Sequence, residues 1–525
     1  MGYGERPLSD VSKRNRCGDF LEILKMLHSN YKKDSMNKPL LLFLLVIFII
    51  GSCVPAPASP TQLLSATVRP TRTPRPIQTT IPTVTPYPPL QTDGPYLLFT
   101  YDNKNFTIMD ADGSGRKQFQ LPDDGYVHDL PKAVPANGKW LAYFTGSTNE
   151  PFDLALNLFN LENETSFPIA NLFAQNFPQN LELVKTLKFD DCIDNTECKI
   201  SSFKFSLIDG IKSLEWSPDG QHLAFAAQID DPSSDIYVFS IENKTTIRLT
   251  NEPENIFRII WSPNGQKVLY NTSIEGGGFS TSTVWHLADF TITTLQNPEV
   301  LSEEKPWRSL GWFNEDLYFI STAIDSPVYI DTGYIDIDSK EIKIIWPHIA
   351  ESMILDSKNN RIILSFMPYE VNNPEITAGT YLLSFGGSTR KISDEIHIFF
   401  DKQDFSEAYF AVVQSGLVRI SSDGNITYVA ENTPKIKTVS ISPNNKWTLV
   451  AREKVLELFS ENLKLANSWD MNFNKIAWNP TSIGVFLNWK GNLYYLSIPD
   501  GEPILIDTCT TQDCFFNYIW LPEKK

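Results

Sequence analysis

Short apolar runs recur roughly every eight to twelve residues from Tyr96 onward, set between clusters of Asn, Asp, Gly, Pro and Ser, with almost no helical periodicity. The clearest run is "LEWSPDGQHLAFAA" at 214–227. In its centre, Ser217, Pro218, Asp219 and Gly220 suit the four positions of a type I turn, because Pro presets the backbone at the second position and Gly is favoured at the fourth. Two strands must therefore meet there. The first ends on Leu214 and Trp216, which a period of two places on one face. The second, Leu223-Ala224-Phe225-Ala226, is apolar on both faces, so its sheet is expected to be covered on both sides. "IIWSPNGQKVLYNT" at 259–272 repeats the phrase, with Trp261, Pro263 and Gly265 in the matching positions.

With the Trp position as marker, weaker copies appear at Val134, Trp312, Leu355, Phe400, Ile441, Trp478 and Trp520. From Trp216 the intervals are 45, 51, 43, 45, 41, 37 and 42 residues, the length of one four-stranded propeller blade. The interval from Val134 to Trp216 is 82 residues, and its surplus at 172–210 reads as a loop insertion. Each unit continues with a third strand such as "DIYVFSIE" and a short fourth such as "TIRLTN". The first unit, from "YLLFTYD", lacks a marker strand, whereas "FNYIWLPE" at the other end supplies one and stops. Pairing the two closes a ring without a free edge. The fold expected is all-β: a single β-propeller over 96–521 with four-stranded blades, about eight or nine units, closed by N- and C-terminal strands.

Residues 216–226 and 261–270, with "IMDADGSGRKQFQL" and "SIENKTTIRLT", resemble the WD-like propeller repeats of the TolB family and of the prolyl oligopeptidase propeller. The resemblance implies a fold and, for TolB-like proteins, binding and scaffolding. It implies that Trp216, Pro218, Asp219, Gly220, Trp261, Pro263, Gly265, Trp478 and Trp520 build blades.

Ahead of the repeats lies "PLLLFLLVIFIIGS", fourteen uncharged residues, too short to span a bilayer comfortably and suited to the core of a signal peptide. It ends in Ile50-Gly51-Ser52-Cys53, which resembles the bacterial lipobox and makes Cys53 the expected lipidation site. Residues 36–53 are then a lipoprotein signal peptide starting at Met36, and 1–35 an upstream extension or a cytoplasmic tail. Residues 54–95 form a Pro/Thr-rich linker with no acid before Asp93, a composition that favours extended polyproline II. Membrane anchorage and a place on the outer face of the bacterial envelope follow as expectations. In that oxidising setting Cys192/Cys198 and Cys509/Cys514 read as two local disulfides, while a zinc site would need both pairs to converge. The net charge of −17 argues against a nucleic-acid partner.

Catalytic signatures are sparse. There is no G-x-S-x-G elbow and no H-E-x-x-H. Asp110, Asp112 and Ser114 are spaced like calcium ligands, but the twelfth position is Leu121 where a Glu is wanted, and a hairpin explains Asp112-Gly113. His222, the acidic group at 230–235 and the sequons at Asn163 and Asn243 read as solvated strand and turn residues. Off-pattern aromatics at Trp285, Trp307 and Trp489 are where ligand stacking would have to be sought. No catalytic residue, cofactor or metal is assigned. The expected function is non-catalytic binding of a protein or envelope component. A hydrolase acting on glycans or peptides at the propeller mouth is the alternative, and a sensory ectodomain a third.

Overall fold

The computed structural model describes residues 87–524 apart from 148–149, 174–212 and further loop segments, the longest at 274–282, 323–329, 368–376, 401–407 and 510–515. The signal peptide, most of the linker, and Cys53, Cys192, Cys198 and Cys514 lie outside the described residues.

Among the described residues, nine antiparallel sheets follow one another along the chain, eight of four strands and one of three. They are the blades of a propeller. Blade 1 is composite: strands Tyr96–Thr100, Asn105–Asp110 and Arg116–Gln120 are joined by the last strand of the chain, Asn517–Leu521. The closing ladder runs from Tyr96 opposite Leu521 to Thr100 opposite Asn517. In blade 3 the strands Leu214–Trp216, His222–Ala227, Asp235–Ser240 and Thr245–Arg248 run in order from inner to outer. Burial shows why the middle strands lack polar alternation: five of the six residues in His222–Ala227 are buried, whereas Thr245–Arg248 alternates exposed and half-buried. Middle strands are covered by both neighbouring blades, outer strands by water on one side.

The turns after Trp216 and Trp261 obey a common scheme. The Gly220 amide donates to the Ser217 carbonyl at 2.8 Å, Gln221 N–H to Asp219 Oδ1 at 2.9 Å and His222 N–H to Ser217 Oγ at 2.9 Å. Gly265, Gln266 and Lys267 repeat these bonds to Ser262 and Asn264. Gly220 has φ of +65°, and a Cβ there would come within 2.9 Å of Asn137, so glycine answers both a backbone and a packing demand. Three of the markers fasten one blade to the one before. Trp216 Nε1 donates to the Ala133 carbonyl at 3.1 Å, Trp261 Nε1 to the Glu215 carbonyl at 3.0 Å and Trp478 Nε1 to Ser440 Oγ at 3.0 Å. In each case the acceptor lies one residue before the preceding marker. Trp520 packs half-buried near Phe486, with ring centroids 6.1 Å apart.

Blade 2 departs from expectation. Its strands Trp140–Ser147, Glu150–Asn160 and Ser166–Asn171 lack an inner partner of full length. Where the marker at Val134 predicts a strand, the chain forms the short helix Leu130–Ala133, with Pro131 at its start and Val134 as its C-cap. Pro supplies no N–H to a ladder and its fixed φ suits a first helical turn, so the strand is lost. A single bridge, Tyr126 to Phe144, marks the remnant. Leu172 and Phe173, at the start of the expected insertion, are buried; 174–212 lies outside the described residues.

The last linker residues form a strap across blade 1. Asp110, wholly buried, accepts from Gln91 N–H at 2.9 Å, Thr92 N–H at 3.2 Å and Thr92 Oγ1 at 2.5 Å. Arg116 N–H donates to the Pro88 carbonyl at 2.9 Å, and the Arg116 guanidinium stacks 3.8 Å from the Tyr87 ring centre. Asp110, weighed above as a calcium ligand, thus spends its oxygens on the strap and on Ser114 Oγ at 3.4 Å.

Candidate functional site

Inner strands line the mouth of the ring, so a polar side chain there faces either a neighbouring blade or the opening. Glu215 is one such residue. Leu214 and Trp216 join the cluster shared with blade 2, so Glu215 between them points the other way, toward blade 4. Its Oε2 lies 3.9 Å from Lys132 Nζ, carried on the short helix of blade 2. Across from it, strand Ile256–Trp261 carries Arg258, half-buried on the same face as Ile260. Blade 5 follows with strands Trp307–Trp312 and Leu317–Thr322, where Ser309 Oγ and the Tyr318 hydroxyl share a hydrogen bond.

The charges of these residues are coupled. Burial pushes the Glu215 carboxyl up to about 7 from its ordinary 4.5, opposed by the positive charge of Lys132, a hydrogen bond from the Trp261 amide and the positive charge of Arg258. Burial also raises the Tyr318 hydroxyl, which feels both Arg258 and Glu215. Three consecutive blades therefore bring a carboxylate and two cations together, with the buried Tyr318 phenol of the next blade behind them. Such a group can bind a polar or charged ligand, and Glu215 can hold or release a proton near neutrality.

The raised carboxyl has a signed consequence for stability. Between pH 4.5 and 7 folded Glu215 holds a proton that the unfolded chain has released, so its contribution to stability falls as pH rises through that window. Glu215→Gln is expected to flatten this part of the profile and to be relatively more stable at pH 8 than at pH 5. Urea midpoints of both proteins across the window check it; parallel profiles would count against the raised value.

Behind this wall, blades 3 and 4 share a buried polar strut. Asp235 accepts from Arg248 at 2.6 Å and from the Glu252 amide at 2.7 Å. The Tyr270 hydroxyl donates to Glu252, and Thr272 Oγ1 meets His286 Nε2 at 3.0 Å. Burial lowers the His286 imidazole to about 4, so it is neutral at physiological pH.

The repeat residues singled out in the sequence are consumed in construction: Trp216, Trp261 and Trp478 are buried and Pro218 touches the next turn, 3.5 Å from where a Gly265 Cβ would stand. His222 packs edge-on against Phe290 with centroids 4.9 Å apart. Of the off-pattern aromatics, Trp285 is fully buried, Trp489 is half-buried beneath Lys490, and the Trp307 side chain lies outside the described residues. Glu215, Arg258 and Tyr318 were missed because each is an ordinary residue on its own strand. The available signal was a charged residue inside the apolar phrases "LEW" and "IFRIIW".

No family model matches the chain. Over 62 residues it is 34% identical to the uncharacterized peptidase YuxL of Bacillus subtilis (strain 168), a stretch that is 12% of this chain and 9% of that protein. The chain thus spans less than a tenth of that relative's length. Among solved structures it is similar to dipeptidyl peptidase 4 of Porphyromonas gingivalis, with 12% identity, TM-score 0.43, and 78% of this chain and 65% of that one covered. It is also similar to AztD of Citrobacter koseri, at 8% identity and TM-score 0.40, covering 82% and 99% of the two chains. TolB of Acinetobacter baumannii aligns at 11% identity and TM-score 0.27, over 71% and 78%. The expected all-β propeller is the architecture observed.

Proposed function

We propose that the chain is an extracytoplasmic propeller lipoprotein, anchored through Cys53 and carried on its Pro/Thr-rich linker, whose inner mouth binds a protein or envelope component without catalysis. The observation that carries the reading is the composition of the inner cluster: Glu215 lies 3.9 Å from Lys132 Nζ and within reach of the charge of Arg258, an arrangement for holding a ligand by complementary charge. The lipobox-like Ile50-Gly51-Ser52-Cys53 supports the anchor. The bonded state of Cys509 supports its pairing with Cys514, and the Cys192–Cys198 pairing is proposed from spacing alone.

A second reading, an envelope hydrolase of glycans or peptides, is favoured by the Glu215 carboxyl near 7, a value suited to a general acid or base. Two measurements on the full chain separate the readings. Labelled palmitate should enter the wild type and not Cys53→Ser, which should leave the detergent phase; an unlabelled wild type, with the variant still in the detergent phase, sinks the anchor. Pull-down from native membranes should enrich a partner that Arg258→Gln and Glu215→Gln release. Turnover of a glycan or peptide substrate, abolished by Glu215→Gln and without an enriched partner, would make the hydrolase the better reading.

A further inference from the structure

Blade 4 carries Arg258, Asn271 and Trp285 in one row. Arg258 is paired across the ladder with Asn271, and Asn271 with Trp285, so the three side chains stand side by side on one face. That face meets blade 5, because Ile260, Leu269 and Leu287, which share it, pack with Tyr318 and Ile320. In this apolar interface several polar groups have nothing to bind. Asn271 is 4% exposed and Trp285 fully buried, yet Asn271 Oδ1 and Trp285 Nε1 have no hydrogen-bond partner. Trp312, on the other side of Tyr318, has its Nε1 buried and unpartnered as well, although its counterparts Trp216, Trp261 and Trp478 all donate. The Tyr318 ring lies 5.3 Å from Trp285 and 5.0 Å from Trp312, so both indoles pack against one phenol. Arg258 makes no hydrogen bond or ion pair among the described residues, while its charge is felt by Tyr318 and Glu215. Leaving buried polar atoms unpaired is costly, and their concentration along one row needs an explanation.

We infer that the row is a subsite for a small carboxylate bearing a hydrogen-bond donor on the adjacent carbon, a 2-hydroxy or 2-amino acid. The guanidinium of Arg258 and the Trp285 indole N–H supply donors to the carboxylate oxygens, and Asn271 Oδ1 accepts from the neighbouring hydroxyl or ammonium. The half-buried position of Arg258 on an inner strand places the way in at the mouth of the ring. The subsite rests on reading the inner cluster as a binding site and names the chemistry that cluster selects.

The probes are L-lactate and L-alanine, each with its methyl ester, titrated into the full-length chain in detergent and followed by calorimetry. The acids should bind and the esters should not, since esterification removes the charge that Arg258 meets. Lactate against alanine tells which donor Asn271 accepts. Arg258→Gln should weaken binding about tenfold or more, with Arg258→Lys partly restoring it. Trp285→Phe, which removes one N–H and little volume, should weaken it several-fold. Failure of both acids to bind a folded wild type, equal binding of acids and esters, or Arg258→Gln and Trp285→Phe proteins that melt and bind like wild type would each overturn the subsite. Partner capture by the inner mouth that survives while the acids fail rejects this subsite and leaves the binding module standing.

Discussion

Deletion of residues 516–525 is expected to abolish the single cooperative unfolding transition of the propeller. The deleted strand pairs with Tyr96–Thr100 over five residue positions, and all five of those partners are buried. Phe516 and Leu521, at 2% and 5% exposure, would be lost from the core together with their packing. Each such side chain contributes roughly 2–3 kcal/mol, and the uncovered inner edge of Tyr96–Thr100 adds unpaired backbone groups, so the loss approaches the ~5–15 kcal/mol that stabilises a typical domain. Leu521→Asp tests the same contact without altering chain length and should lower the midpoint by a large fraction of the deletion's effect. Calorimetric scans of the three proteins decide it; a deletion variant melting like wild type would show that closure is held elsewhere.

The second large effect is expected at an ion pair inside blade 6. Asp356, at the end of strand Ser352–Asp356, is 2% exposed and receives Arg361 Nε at 2.6 Å from the start of strand Arg361–Phe366. The same guanidinium reaches the Ser422 carbonyl in a turn of the next blade, so one side chain ties two blades together. Arg361→Met leaves a buried carboxylate without its cation and should cost about 3–5 kcal/mol in urea unfolding. Adding Asp356→Asn should recover much of that, because the stranded charge rather than the lost bond carries most of the penalty. The Lys343–Asp336 pair, at 2.9 Å on the surface, is the control: its removal should change little, since water already screens it. Equal effects at the two pairs would refute the role given to burial.

How far the molecule can be read from its sequence depends on how local the governing physics is. The turn chemistry of Ser217 to Gly220 is contained in four residues, and the structure realises it at 217–220 and again at 262–265 with matching bonds. Marker spacing carried this into blade number and ring closure, since a repeat propagates local information along the chain. Val134 failed as a strand marker because Pro131, three residues earlier, overrode the pattern, yet the register survived: Ala133 still presents its carbonyl to Trp216. The inner cluster was not legible in this way. Glu215, Arg258 and Tyr318 belong to three blades, and only ring geometry brings them together. Asn271 and Trp285 were more accessible to sequence reasoning, since a lone amide in "KVLYNTS" and an off-pattern Trp in "TVWHLAD" both break strand composition. What the sequence could not show is that adjacent strands set these breaks side by side.

The strap at 87–93 gives the ring a defined response to force. A pull on the chain ahead of Tyr87 meets the Arg116 stack first, then the bonds from Gln91 and Thr92 to Asp110, and only afterwards the ladder between Tyr96–Thr100 and Asn517–Leu521. These elements lie in series along the chain. The strap thus stands ahead of the seam in the path of any load entering along the chain before Tyr87, so the Tyr87–Arg116 and Asp110 contacts shield the closing ladder from it.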